Sequence, residues 1–496
     1  MAAPNEFTVV ETTIAEIHAA FRDGSLTARQ LVQLYLDRIE AYDQQGPAIN
    51  ALISINPRAL DEADRLDAAF AKSGPVGPLH GIPLVMKDQG DVAEMPTTLG
   101  SVLFRDHMPG RDAFVVAKMK AAGAIFIAKA ALGELGAGDT HGSLFGSTRN
   151  VYHLDRTAGG SSGGSGAGVS ANFATAGVGQ EGFASIRRPS IWNGIAGMRP
   201  TAGLVSRAGV FGGWPSLAGS LGPMARTVTD LAKMLDAMVG FDANDPITAH
   251  GVGHAPESYA DGLDAGALKG ARIGILRTPM GFHTEPDSDD FANITELFDR
   301  AVADLGAAGA ELVDPVEIPD LMALLGKRAR DEEADEQAFE DYFAGSANAP
   351  FATRADAMAS PIFAEVSHGV RLRWGKTGSD EAYFEYLKAR DTLMTRFLKM
   401  MADHRLDAIV HKAVEHTPTL IKDGVNPPYV DQKGAPHLNT FLIFVPSIVV
   451  PAGFTRDGLP GGITFLGRPY DDAGMIRLAY AYEQATNHRR APDSTP

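Results

Sequence analysis

The chain has 496 residues, 45% hydrophobic and 21% charged, with a formal net charge of −17. This is the composition of an ordinary globular protein, with enough chain to bury a large core around a pocket; the acidic balance argues against nucleic-acid and anionic-membrane surfaces, which call for clustered basic residues. There is no cysteine, which excludes disulfides, thiolate nucleophiles and cysteine-bound zinc and fits a cytoplasmic setting.

The first residues, MAAPNEFTVVETTIAEIH, lack the basic and apolar segments of a secretory signal. The best candidate for a membrane span, 441–450, is short and interrupted by Pro446, so none is expected. Thr13 and Glu16 have capping-box spacing ahead of Ile14, Ile17 and Phe21, and Gly24 stops that helix. Thr27 and Gln30 repeat the signal, with Leu31, Leu34, Tyr35 and Ile39 on one face. A third helix is expected over 57–70, opened by Pro57.

Beyond these helices the pattern alternates. Gly81-Ile-Pro-Leu-Val-Met-Lys87 reads as a buried strand ending on a lysine, 112–122 as a helix and 124–128 as a buried strand. Residues 156–222 are rich in glycine, serine and alanine, yet Val169, Phe173, Val178, Ile186, Trp192 and Met198 punctuate them. A solvated linker has no use for such residues, whereas close-packed backbones do need small ones. Residues 266–320 repeat a strand–helix–strand passage, and 321–402 read as charged and mostly helical, with one helix expected over 324–342. Strands at 406–410 and 447–450 and a helix over 475–484 close an α/β chain without tandem repeats.

No HExxH and no GxxxxGK[ST] is present, and His141, His411 and His416 are scattered, so neither a metal, a nucleotide site nor another cofactor is expected. The run 159–163 fits GxSxG, but His153-Leu-Asp-Arg-Thr157 ahead of it is not the hydrophobic strand that a nucleophile elbow needs. Three other segments are informative as an ordered set: Gly81-Ile-Pro-Leu-Val-Met-Lys87-Asp88, Gly159-Gly-Ser161-Ser-Gly-Gly-Ser165, and Gly179-Gln-Glu-Gly-Phe-Ala-Ser185-Ile-Arg-Arg-Pro189. Taken singly, Lys87 is a lysine at a strand end, Ser161 a turn residue and Ser185 a helix N-cap. Together they resemble the amidase signature family, as do Ser147-Thr-Arg-Asn150, Gly197-Met-Arg-Pro200 and Gly219-Ser-Leu-Gly-Pro-Met224. The resemblance covers most of the chain and is weakest over 321–436.

The resemblance implies a single large α/β domain with a central mixed β-sheet flanked by helices on both faces. Within it, N-terminal helices span 1–75, a catalytic core 76–230, and a variable, mostly helical substrate-side region 321–436. It implies hydrolysis of a small amide or a carbamate by Ser185 as nucleophile, Ser161 (after a cis peptide bond) as proton relay and Lys87 as base. Related readings are a glutaminase subunit of a tRNA-dependent amidotransferase and, outside catalysis, a binding protein on the inherited fold; a homodimer is also open. A serine hydroxyl needs a base, and a lysine serves only when neutral. Moving its pKa from about 10.4 to near 7 takes roughly 4–5 kcal/mol of lost solvation and charge interaction.

By the same resemblance, the backbone N–H groups of Gly182, Phe183 and Ala184, with Ser185, form the oxyanion hole. Asp88, Asn150, Ser162, Arg187 and Arg188 are expected around the site: Arg187 as an anchor of its own segment, Arg188 either as a further support or as a contact for a substrate carboxylate. The chain departs from the family pattern where Gln180-Glu-Gly-Phe-Ala184 replaces TDTGG. Glu181 for aspartate is a mild change. Phe183 for glycine gives up backbone freedom, so an altered loop or acyl-side pocket is expected there.

Overall fold

The computed structural model describes residues 7–212, 219–346, 348–376 and 378–496. Both N-terminal capping boxes are present: Thr13 and Glu16 bracket the start of Ile14–Asp23, and Thr27 and Gln30 that of Ala28–Ile39. The first helix ends on Gly24 in the left-handed region, at φ 76°. The third helix is Ala59–Ser73, starting two residues later than the sequence predicts. The apolar faces of these helices pack into the main core.

Eleven strands of the described residues form one sheet. In chain order they are β1 (Leu52–Ile55), β2 (Pro83–Lys87), β3 (Ile125–Ala130), β4 (Ala176–Glu181), β5 (Ala196–Arg199), β6 (Ser220–Ala225), β7 (Arg272–Leu276), β8 (Glu311–Val316), β9 (Ala408–Lys412), β10 (Ser447–Phe454) and β11 (Pro460–Leu466). Their order across the sheet is β1-β3-β2-β4-β6-β5-β10-β11-β9-β7-β8. β2 runs parallel to both neighbours, β3 and β4, and β7 lies parallel between β9 and β8. Antiparallel pairs fill the middle of the sheet from β4 to β9. The architecture is a single α/β domain built on a mixed sheet with helices on both faces.

The glycine-rich stretch is structural interior, except that 213–218 lie outside the described residues. Helix Gly163–Ser170 is wholly buried and packs on β2, β3 and β4. A Cβ on Gly164 would stand 2.3 Å from the Ala131 nitrogen and 2.4 Å from the Ala51 carbonyl oxygen, so only glycine lets this helix sit so close to the sheet edge. No helix among the described residues is long and apolar enough to cross a membrane.

The helix expected over 324–342 is two helices, Leu321–Leu325 and Glu332–Ala344. Residues 326–331 break it, because Gly326 caps the first helix and the Asp331 carboxylate starts the second by accepting from Ala334 N at 2.9 Å. A side-chain oxygen that satisfies an unpaired N–H at a new helix start outweighs propensity for one continuous helix. Residues 328–331 of this connection line the cavity described below.

Candidate active site

β2 and β4 are parallel neighbours, so the chain leaves both at the same edge of the sheet. Lys87 ends β2 and Glu181 ends β4. The turn that precedes Gly163–Ser170 lies between them. Its Gly160–Ser161 peptide is cis. Ser162 N donates to Ser185 O at 3.0 Å and joins this turn to the Ser185 segment.

Lys87 is fully buried. Its Nζ lies 2.7 Å from Ser161 Oγ and 3.1 Å from the Gln180 carbonyl oxygen. Ser161 Oγ in turn donates to Gly136 O at 2.7 Å. Burial pushes the Lys87 pKa far below the ordinary lysine value, and the Glu181 carboxylate opposes that shift only in part.

Ser185 lies on the wall of a cavity of about 930 Å³. Gln180, Gly182 and Phe183 share the wall. Among the described residues, the backbone N–H groups of Gly182, Phe183, Ala184 and Ser185 donate to no protein acceptor. Unpaired donors beside a nucleophile-type hydroxyl are what an oxyanion requires.

Glu181 folds this loop. Its Oε2 accepts from Ile186 N at 2.9 Å and Arg187 N at 3.0 Å, and its Oε1 takes Arg187 Nε at 2.7 Å. Arg187 also donates to the carbonyls of Phe183 and Pro436. The carboxylate thus clasps both ends of 182–187. Sequence reasoning makes Glu181 only a mild replacement and misses this role; the available signal is its place six residues before an arginine.

Phe183 does not distort the loop. Its φ is not positive, and a Cβ on neighbouring Gly182 would meet nothing within 4 Å. The backbone here has no need of glycine, so the oxyanion-type donors survive the substitution. The ring instead fills space: His437 stacks on it at 4.6 Å between centroids with planes 12° apart, Phe282 meets it edge-on at 5.8 Å, and the Arg328 guanidinium lies over it at 4.8 Å. Burial and the charges of Arg328 and Arg187 bring the His437 pKa down to about 3, so that ring is neutral.

The remaining expected residues lie behind the cavity. Asp88 pairs with Lys129 at 3.0 Å, both fully buried, and accepts from Thr98 N and Oγ1. Asn150 holds the Trp192 carbonyl at 2.6 Å, and Ser162 Oγ sits 3.3 Å from the backbone of Gln180. Arg188 is 1% exposed, pairs with Asp139 Oδ1 at 2.7 Å and donates to Gly160 O at 2.8 Å. These contacts support the turn before Ser161, the first of the two roles expected of Arg188. Asp139, which does line the cavity, is raised to about 6 by burial, against the pull of Arg188 and with Asp431 nearby. Among the described residues no cluster of histidine and carboxylate side chains is placed to hold a metal.

A family model described as Amidase matches residues 30–476. The chain is 32% identical to a glutamyl-tRNA(Gln) amidotransferase subunit of Halorhodospira halophila, over 97% of this chain and 99% of that one. Among solved structures, the peptide amidase of Stenotrophomonas maltophilia superposes with a TM-score of 0.83 at 33% identity, covering 98% of this chain and 99% of that one. The corresponding amidotransferase subunit of Thermotoga maritima superposes with a TM-score of 0.74 at 25% identity, covering 99% of each.

Proposed function

The chain belongs to the amidase signature family and is a hydrolase of C–N bonds, and from that premise we propose that it cleaves a small or aryl amide through an acyl-enzyme on Ser185. The observation that carries this reading is the environment of Lys87. A wholly buried ammonium with only a hydroxyl and a carbonyl for partners is disfavoured, and the neutral amine is a base.

The neutral Nζ keeps its hydrogen bond to Gln180 O and offers its lone pair to Ser161. The Ser161 hydroxyl turns from Gly136 O toward Nζ as it takes the proton of Ser185, whose oxygen attacks the carbonyl carbon. Negative charge on the former carbonyl oxygen is met by the N–H groups of Gly182, Phe183 and Ala184, each worth about 2.7–4 kcal/mol of barrier. The same relay returns the proton to the departing amine, and water then releases the acyl group by the reverse path.

Two further readings share this chemistry. A carbamate would be attacked at the same carbonyl and lose an alcohol, carbon dioxide and an amine. A glutaminase subunit would need a partner protein; the higher TM-score to the peptide amidase than to the amidotransferase subunit favours a stand-alone amidase. The test is mass spectrometry after exposure to a neutral fluorophosphonate, which should label Ser185; a label on another serine would overturn the assignment. Panels of anilides, aliphatic amides, aryl carbamates and glutamine, run on the chain alone, then rank the substrates.

A further inference from the structure

Five cations and four carboxylates line the cavity, and their engagement is uneven. Asp335 pairs with Arg330 at 2.5 Å, Asp139 with Arg188, and Asp331 caps its helix. Asp431 accepts from Asp139 N at 2.7 Å and faces Arg373, which is itself bound to Glu134 O. Among the described residues, Arg328 and Arg390 have neither an ion-pair nor a hydrogen-bond partner.

Both guanidiniums are instead laid on aromatic rings: Arg328 over Phe183 at 4.8 Å and Arg390 over Tyr386 at 5.7 Å. A ring face steadies the planar group and leaves its N–H edge free. Both arginines also act on the Tyr386 phenol, so they flank one residue of the cavity wall. Arg328 is open to solvent through the cavity, yet protein crowds it enough to lower its pKa. It projects from 326–331, the connection where the expected helix breaks. A protein of net charge −17 that keeps two arginines unneutralised on the cavity that Ser185 also lines is arranged to receive an anion.

We propose that Arg328 and Arg390 are specificity residues that bind a carboxylate on the amide substrate, through the N–H edges their ring contacts leave free. This rests on the hydrolase reading above. The carboxylate belongs to the acyl or the amine half of the substrate, and paired probes separate the two. Succinyl mono-4-nitroanilide against butyryl 4-nitroanilide reads the acyl side; 4-acetamidobenzoate against N-(4-methylphenyl)acetamide reads the amine side.

In the full chain, the anionic member of one pair should have a kcat/KM about tenfold or more above its neutral partner, expressed mainly in KM. That ratio should collapse toward unity in Arg328→Gln and in Arg390→Gln, recover in part in Arg328→Lys, and weaken with added salt. A second reading needs no turnover: succinate or 4-aminobenzoate should slow fluorophosphonate labelling of Ser185 in the wild-type chain and not in Arg328→Gln. Should Arg328→Gln fail to fold, Arg390→Gln alone reads the same quantities. An anionic preference that neither variant alters, or labelling indifferent to every carboxylate, would overturn carboxylate recognition alone. Activity that survives Ser185→Ala would overturn the hydrolase assignment instead.

Discussion

Lys87 and Lys129 stand on neighbouring strands, both fully buried, and only Lys129 meets a carboxylate, Asp88 Oδ1 at 3.0 Å. Lys87 faces Ser161 Oγ and Gln180 O. Two residues of one type, one sheet position apart, are thereby given opposite tasks: one neutralises a carboxylate, the other is driven to give up its proton.

Folding weakens the hold of Lys87 on its proton, since its folded pKa lies well below that of the unfolded chain. This costs stability at neutral pH, about 1.36 kcal/mol for each tenfold fall in proton affinity, and the cost fades as the pH rises toward 10.5, where the unfolded lysine also loses its proton. Lys87→Met should therefore raise the melting temperature at pH 7, by an amount that shrinks at pH 10. Ser161 and Gln180 O keep other partners, Gly136 O and Ser162 Oγ, when Nζ is removed. kcat should fall about 10²–10⁴-fold. Thermal unfolding at both pH values checks this; a melting temperature that drops at pH 7 would contradict it.

Ser161→Ala removes the hydroxyl proposed to relay a proton from Ser185 to Lys87 and leaves the backbone bond from Gly133 N to Ser161 O in place. The fold should survive while acyl-enzyme formation slows about 10²–10⁴-fold, the range of a lost proton-transfer group. Stopped-flow burst kinetics measure it, and an unchanged burst rate would remove Ser161 from the relay.

Glu181→Gln weakens the clasp on 182–187 and withdraws the one charge that favours protonated Lys87. Two effects are expected together. Stability should fall by about 3–5 kcal/mol, as when one partner of a buried pair is lost. The acid limb of the kcat/KM profile should move to lower pH, because the lysine then loses its proton more readily. A purely structural role predicts the first effect without the second.

Phe183→Ala should cost about 3–5 kcal/mol in urea unfolding, the penalty of emptying an aromatic site, since the ring packs on His437 and Phe282. Phe183→Gly should cost more and gain no catalysis, because φ at 183 is already one that any residue adopts. A faster glycine variant would show that the loop is strained by the ring.

Much of this architecture was legible in the chain. The capping signals at Thr13 and Thr27 placed two helices, and apolar runs placed β2, β3 and β7. β4 was not legible: it is buried along its whole length, so it shows no alternation, and Gly177 and Gly179 dilute its apolar character. Gly179 is small because a Cβ there would stand 2.8 Å from Met224 Sδ. Lys87, Ser161 and Ser185 were recognisable only as an ordered set. The contacts of Arg188 with Asp139, of Phe183 with His437 and of Arg328 with the cavity join segments far apart in the chain, and no local spacing reports them.

The side-chain hydrogen bonds of Lys87, Ser161 and Glu181 all close within residues 87–187, whereas Arg328, Tyr386 and Arg390 reach the cavity from another stretch of chain. Under the proposed assignment, the proton relay and the arginines that select the substrate are thus written in separable parts of the gene. A redesign that exchanges 326–331 for another loop can retune which amide is accepted while every contact around the lysine stays as it is, and the broken helix is the natural seam for that exchange.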